Sequence, residues 1–253
     1  MRHLFVLAAV LLALALVAPA VAVQEATPAA EATVLPPDAE VAGATTAEWA
    51  ARSWQWIASF PADINPGLDE TGGTRCGLGQ SGPVFFLPGS FLPEPPAVIE
   101  CTVPTGVHVF VPLGGAECST VEPPPFFGRD EAELATCAAA ATDALTVTAS
   151  VDGAEVTDIE RYRETSPMFT LVFPEDNIFG VPAGAASAVD NGYHLMLAPL
   201  PAGEHEIVAS TDFGDGSGPH GGTFRLTVVE PQTIEPVASP EAGATPDAAT
   251  PAT

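Results

Sequence analysis

Leu145-Thr146-Val147-Thr148-Ala149-Ser150-Val151-Asp152-Gly153 is the stretch that decides the fold class. Side chains of a strand point alternately to its two faces, so Leu145, Val147, Ala149 and Val151 share one side, with Thr146, Thr148 and Ser150 on the other. That is a strand with one face in a core and one in water. Asp152-Gly153 then supplies a hairpin turn. Short apolar runs recur outward from this stretch at 84–87, 97–103, 106–112, 155–163, 167–173, 192–198, 204–211 and 222–229, separated by Gly, Pro and Asp turns. In 106–112, Val107, Val109 and Val111 alternate with His108 and Phe110. In the last run Phe224, Leu226 and Val228 point inward. The sequence shows no helical crossovers of the length parallel βαβ units need, so the fold expected is mostly β. It reads as an antiparallel β-sandwich of immunoglobulin-like or jelly-roll type with one or two peripheral helices.

The helices are placed by caps and breakers. Thr46 is read as the cap of a helix running to about Phe60, where Pro61 stops it. Trp49, Trp56, Ile57 and Phe60 fall on one face of that helix with Trp54 beside it, a stripe suited to packing on a sheet or to forming an aromatic platform for a ligand. A second helix is expected at 130–143, with acidic residues in its first turn. Between them, 118–127 reads as an irregular loop, because Pro123, Pro124 and Pro125 exclude helix and central strand alike.

The chain ends read differently from the middle. Residues 1–22 have a short basic start at Arg2, an apolar run at 4–17 too short to span a bilayer comfortably, and Ala20-Val21-Ala22 as a cleavage site. This is the pattern of a signal peptide, so the product is expected to be secreted or extracytoplasmic, without membrane insertion after cleavage. Residues 23–44 and 230–253 are rich in Ala, Pro, Glu and Thr without periodicity, and are expected to be a disordered linker and a disordered tail. One globular domain is left at 45–229.

Charge narrows the partners. The 253 residues carry 32 Asp and Glu against 7 basic side chains, all Arg, for a formal net charge of −25. Such a surface repels phosphate backbones, which argues against nucleic acid as a partner. Glycans, cell wall and extracellular proteins remain.

Export gives meaning to the four cysteines, an even number in an oxidising compartment. Of the three possible pairings, Cys76–Cys101 and Cys118–Cys137 close the most local loops. No C-x-x-C pair suggests a zinc site.

The blocks Trp54-Gln55-Trp56, Asn65-Pro66, Cys76 to Leu87 with Gly79-Gln80 and Gly82-Pro83-Val84, Cys101 to Gly106, Pro123-Pro124-Pro125-Phe126-Phe127-Gly128-Arg129 and Gly203-Glu204-His205 resemble a family of uncharacterised secreted bacterial proteins. The resemblance spans most of 54–229. It implies export and one coherent domain, and no activity is assigned to the family.

Chemistry-bearing motifs are sparse. The sequence holds no Gly-x-Ser-x-Gly elbow, no His-Glu-x-x-His and no P-loop. His108, His194, His205 and His220 are the candidate bases, and His194 and His205 are expected on neighbouring strands where they could meet as metal ligands or an acid–base pair. In the loop of 212–218, Asp212 and Asp215 are the calcium candidates, three apart among glycines. Arg161 and Arg163 flanking Tyr162 suit an anion or an internal carboxylate. Asn65, Asp69 and Gln80 lie in turn-rich loops where sandwich proteins place binding sites. No catalytic or cofactor-binding set emerges. The leading expectation is a non-catalytic binding or cell-envelope module acting through loops. A secreted hydrolase whose His and carboxylate meet only in space, and a structural surface protein with a calcium-stiffened loop, are its rivals.

Overall fold

The computed structural model describes residues 32–230 apart from Asp215 and Ser217. The expected signal peptide and the tail from 231 onward lie outside the described residues. The described part is mostly β, with two α-helices.

Twelve strands follow in chain order. The first five are β1 (Glu40–Val41), β2 (Ala44–Thr45), β3 (Val84–Phe86), β4 (Val98–Pro104) and β5 (His108–Ser119). Next come β6 (Thr146–Val151), β7 (Ala154–Glu155), β8 (Arg163–Thr165) and β9 (Phe169–Phe173). The last three are β10 (Gly184–Leu197), β11 (Gly203–Asp212) and β12 (Pro219–Val229). Helix α1 (Thr46–Ala58) precedes β3, and α2 (Glu131–Thr142) follows β5. One sheet has the order β3-β5-β10-β8, with β9 pairing another part of β10, and the other has the order β4-β12-β11-β6-β7. A single hydrophobic cluster draws on both: Val109, Val111 and Leu113 of β5 and Leu195 and Leu197 of β10 join Val103, Val147, Ile207 and Leu226 of the second sheet. Packing of this kind is what the alternation in 145–151 demands, since each sheet has one apolar face to bury.

The opposite face of the first sheet is covered by α1, while α2 lies on the same side of that sheet as the second sheet does. Trp49, Trp56 and Ile57 of α1 pack on Phe86, Phe110 and Met196, while Leu134 and Ala138 of α2 pack on Cys118 and Val189. Strand β10 is therefore enclosed on both faces, and from Val189 to Leu197 every residue is buried. Helix α1 starts with a capping box. Thr45 N donates to Glu48 at 2.8 Å, and Glu48 N donates back to the Thr45 hydroxyl at 3.3 Å.

Several expectations are corrected. Thr45, not Thr46, is the cap of α1, because its hydroxyl has the reciprocal partner Glu48 three residues on. Residues 32–44, read as part of a linker, are seated on the domain. Val34 bridges Leu197, Leu35 N donates to Met196 O at 2.8 Å, and Val41 and Ala44 are buried under α1. Cys118 lies in β5 rather than in the loop after it. The run 155–163 is not one strand but a short β7, a 3-10 turn at Ile159–Tyr162 and the start of β8. Not every pairing is antiparallel: β3 runs parallel to β5, and β4 parallel to β12. Strand β4, in the other sheet, lies between β3 and β5 in the chain, so the chain leaves the first sheet and re-enters it in the same direction without a helical crossover.

Both expected disulfides are present, Cys76–Cys101 and Cys118–Cys137, with sequence separations of 25 and 19. Two disulfides fit an oxidising, extracytoplasmic environment. Among the described residues no helix is long and apolar enough to cross a membrane. Replacing Cys76 and Cys101 together by Ala is expected to lower unfolding free energy by about 3 kcal/mol, from the loop each bridge closes. Urea denaturation of the variant and the parent is the check, and equal midpoints would show that this link contributes nothing.

Candidate functional site

A cavity of about 260 Å³ opens beside the edge of β5. It exists because β3 is short. β3 pairs with β5 only at His108–Phe110, and past that point the chain turns away through Pro88, Gly89, Ser90 and Phe91. The edge of β5 at Pro112, Leu113, Gly114 and Gly115 is thereby left as one wall. Trp54, Trp56 and Ile57 of α1 form a second wall, and Thr211, Phe213 and the 220–224 part of β12 form a third. Most of the lining is carbon. Phe91 and Phe213, at the mouth, are 41% and 46% exposed. Trp54 and Phe91 also touch each other and Phe179, with ring centroids 6.2–6.3 Å apart.

One wall carries a polar group. Asp190 and His194 of β10 are four residues apart, hence on the same face of the strand, and they are 1% and 4% exposed. The His194 Nε2 lies 2.8 Å from one Asp190 carboxylate oxygen, and Trp54 Nε1 donates to the other at 2.7 Å. The backbone N–H of Asp190 donates to the Ser166 hydroxyl at 2.9 Å. Gly192 lies between them because a Cβ there would meet the His194 ring at 2.8 Å. An imidazole paired with a carboxylate resembles a catalytic dyad, but a dyad presents its second nitrogen to a substrate or nucleophile. His194 Nδ1 is buried and has no hydrogen-bond partner among the described residues. The geometry is that of a brace: Asp190 fixes the Trp54 indole and the His194 ring as cavity wall.

Beside the brace lies a strained acid. Glu117 of β5 stands opposite Asp190 in the strand register. It is 4% exposed, with neither carboxylate oxygen hydrogen-bonded. Burial holds its carboxyl far above the usual carboxylate range, and the neighbouring carboxyls of Glu122 and Asp190 add to the effect.

The other sequence candidates are dispersed. His205 lies in the second sheet, where Nδ1 meets Asp152 at 2.7 Å and Nε2 meets Pro201 O at 3.0 Å, so it braces the turn after β6. His194 and His205 do not form a pair, because β10 and β11, though consecutive, belong to different sheets. His108 opens β5 beside Val84, and His220 sits at the cavity with its ring 5.4 Å from Phe213. Arg163 joins α2 to β10, donating to Asn191 Oδ1 at 2.8 Å and Asp143 at 2.7 Å. Asn65 donates to Ile57 O at 2.8 Å and Gln80 to Phe86 O at 2.7 Å, so both hold backbone. Asp69 accepts from the backbone N–H groups of Thr71, Gly73 and Arg75. Its carboxyl is held down to about 2: burial opposes this, and the Thr71 hydroxyl with those N–H groups outweighs it. Asp212 accepts from Gly214 N at 2.8 Å, and its calcium partner Asp215 lies outside the described residues. Among the described residues no three His, Cys, Asp or Glu side chains converge as a metal site.

Asp190, Glu117 and the cavity itself were not singled out from sequence. The one available signal is Asp190 and His194, two polar residues on the same face of a strand that ends in the apolar run Leu195-Met196-Leu197.

No family model matches the chain, and no curated protein matches it. Among solved structures, a crystal structure of a cysteine protease inhibitor from Entamoeba histolytica is 12% identical, covering 51% of this chain and 86% of its own, with a TM-score of 0.21. The solution structure of amebosin is 13% identical over 52% of this chain and 89% of its own, with a TM-score of 0.18. Likenesses at these TM-scores define neither the fold nor an activity for this chain.

Glu117 yields a pH test. Its folded pKa lies above the unfolded value, so stability is full below the ordinary glutamate range and falls as pH rises above it. The slope reaches about 1.4 kcal/mol per pH unit. Glu117→Gln removes that slope and is expected to be more stable than the parent at neutral pH, with the gap narrowing toward about pH 5. Urea midpoints measured across this range decide it. A constant gap would mean that the Glu117 carboxyl is not the titrating group.

Proposed function

We propose that the chain is a non-catalytic, extracytoplasmic binding module, a two-layer β-sandwich of immunoglobulin-like or jelly-roll type that takes a neutral, ring-bearing group into the cavity beside α1. The observation that carries this reading is the cavity's lining: apolar walls with aromatic rings at the mouth, and an Asp190 carboxylate already occupied by Trp54 and His194. Binding sites for organic ligands are concave and mainly apolar, with a few placed polar groups. An apolar cavity of roughly 150 Å³ holds benzene, so this one has room for a larger ring system. The resemblance to secreted bacterial proteins and the two disulfides support its working outside the cytoplasm.

A hydrolase reading has one observation in its favour, the 2.8 Å contact of His194 with Asp190 at the cavity wall. The burial of His194 Nδ1 weighs against it.

Indole is a suitable probe. Saturable binding to the mature chain is expected with a Kd on the order of 1 mM or tighter, given its few atoms, followed by NMR shifts of residues around the cavity. At Gly222 an added Cβ would come no closer than 3.8 Å to the Pro96 carbonyl, so Gly222→Leu fills the cavity without disturbing the strand. That variant is expected to melt like the parent and lose indole. Non-saturable shifts, or undiminished binding by the filled variant, would remove the cavity as the site.

A further inference from the structure

We infer that the natural occupant of the cavity is an aromatic side chain carried on a cationic, extended segment of a partner protein; this rests on the cavity being a binding site. Three observations lead there. The inserted group must be neutral, because Asp190 is 1% exposed behind Trp54 and His194 and, among the described residues, the cavity lining holds no Arg, Lys or further acid to balance a buried charge. The contact surface extends beyond the cavity. Phe91 and Phe213 line the cavity yet remain 41% and 46% exposed. A free small molecule sitting inside would leave both rings in water, whereas a polypeptide passing over the mouth covers them. Interfaces of this kind concentrate their affinity in one buried aromatic anchor ringed by apolar contacts.

Charge selects the rest of the partner. The described residues of the segments beside the mouth, 88–97, 211–214 and 218–222, include Glu94 and Asp212 and no Arg or Lys. They belong to a chain with 32 acidic and 7 basic residues. The field at the mouth therefore attracts cations and repels carboxylate-bearing ligands such as fatty acids. Gly89 and Gly222 add room at the rim: a Cβ on either would meet nothing closer than 3.8 Å, so a partner's backbone can pass there.

The test uses the mature chain labelled for NMR and three capped pentapeptide probes: Arg-Ser-Phe-Ser-Arg, Glu-Ser-Phe-Ser-Glu and Arg-Ser-Ala-Ser-Arg, with indole as reference. The basic Phe peptide is expected to shift the amides of Gly89, Phe91, Phe213 and Gly222, and to compete with indole. At low salt it is expected to bind at least tenfold more tightly than the acidic peptide, a gap that closes as salt rises. The Ala peptide is expected to lose the cavity shifts, and Gly222→Leu to lose them for every probe. Equal affinity for the acidic and basic peptides would overturn the cationic partner. Indole binding with no peptide binding would overturn the peptide partner and leave the cavity reading standing. If neither indole nor any peptide bound, both readings would fall.

Discussion

The carboxylate of Asp190 is the point on which the site end of the molecule turns. It lies at 1% exposure between β10 and α1, and it is tolerable there because Trp54 Nε1 and His194 Nε2 engage its two oxygens. A buried carboxylate without partners costs several kcal/mol, and one with two close donors becomes a rigid joint. Through that joint a helix residue and a strand residue are locked into one wall, and α1 is set in angle as well as in depth. Apolar packing alone would let a helix slide along a sheet. The cavity is the space left where this locked helix and the short β3 both stop covering the edge of β5.

Glu117 shows the same environment without the remedy. It faces Asp190 across the strand pair, is buried to a similar degree, and has neither oxygen hydrogen-bonded. Two carboxyls side by side on one face of the sheet respond in opposite ways because one has donors and the other has like-charged neighbours. Protonation is the cheaper state for Glu117, and this face of the first sheet therefore stores a neutral acid next to a braced one.

Much of the scaffold was legible in the sequence. The alternation of 145–151, the two local cysteine pairs and the acidic start of α2 all have short-range causes, and all three appear in the structure. What sequence concealed has long-range causes. Strand β10 begins at Gly184, well before 192, because it pairs there with β9, and the small side chains of Gly184, Ala185, Ala186, Ser187 and Ala188 give no contrast between apolar and polar positions to read. The seating of Val34 and Leu35 depends on β10 lying beneath them, and no local pattern announces it. The parallel pairings follow from the chain changing sheets between β3 and β5. The site was least legible of all. Trp54 was read as lying beside the packing stripe, and its indole N–H finds Asp190 136 positions away.

The placement of the sulfur links carries one more consequence. Cys76 and Cys101 enclose the loop of 88–97 that bears Phe91, while Cys118 and Cys137 enclose the exposed Pro-Pro-Pro-Phe-Phe stretch. These are the segments a protease in the surrounding medium meets first. A cut inside either loop leaves both fragments tethered across the break, so the nicked molecule stays covalently one piece even when unfolded, until its disulfides are reduced.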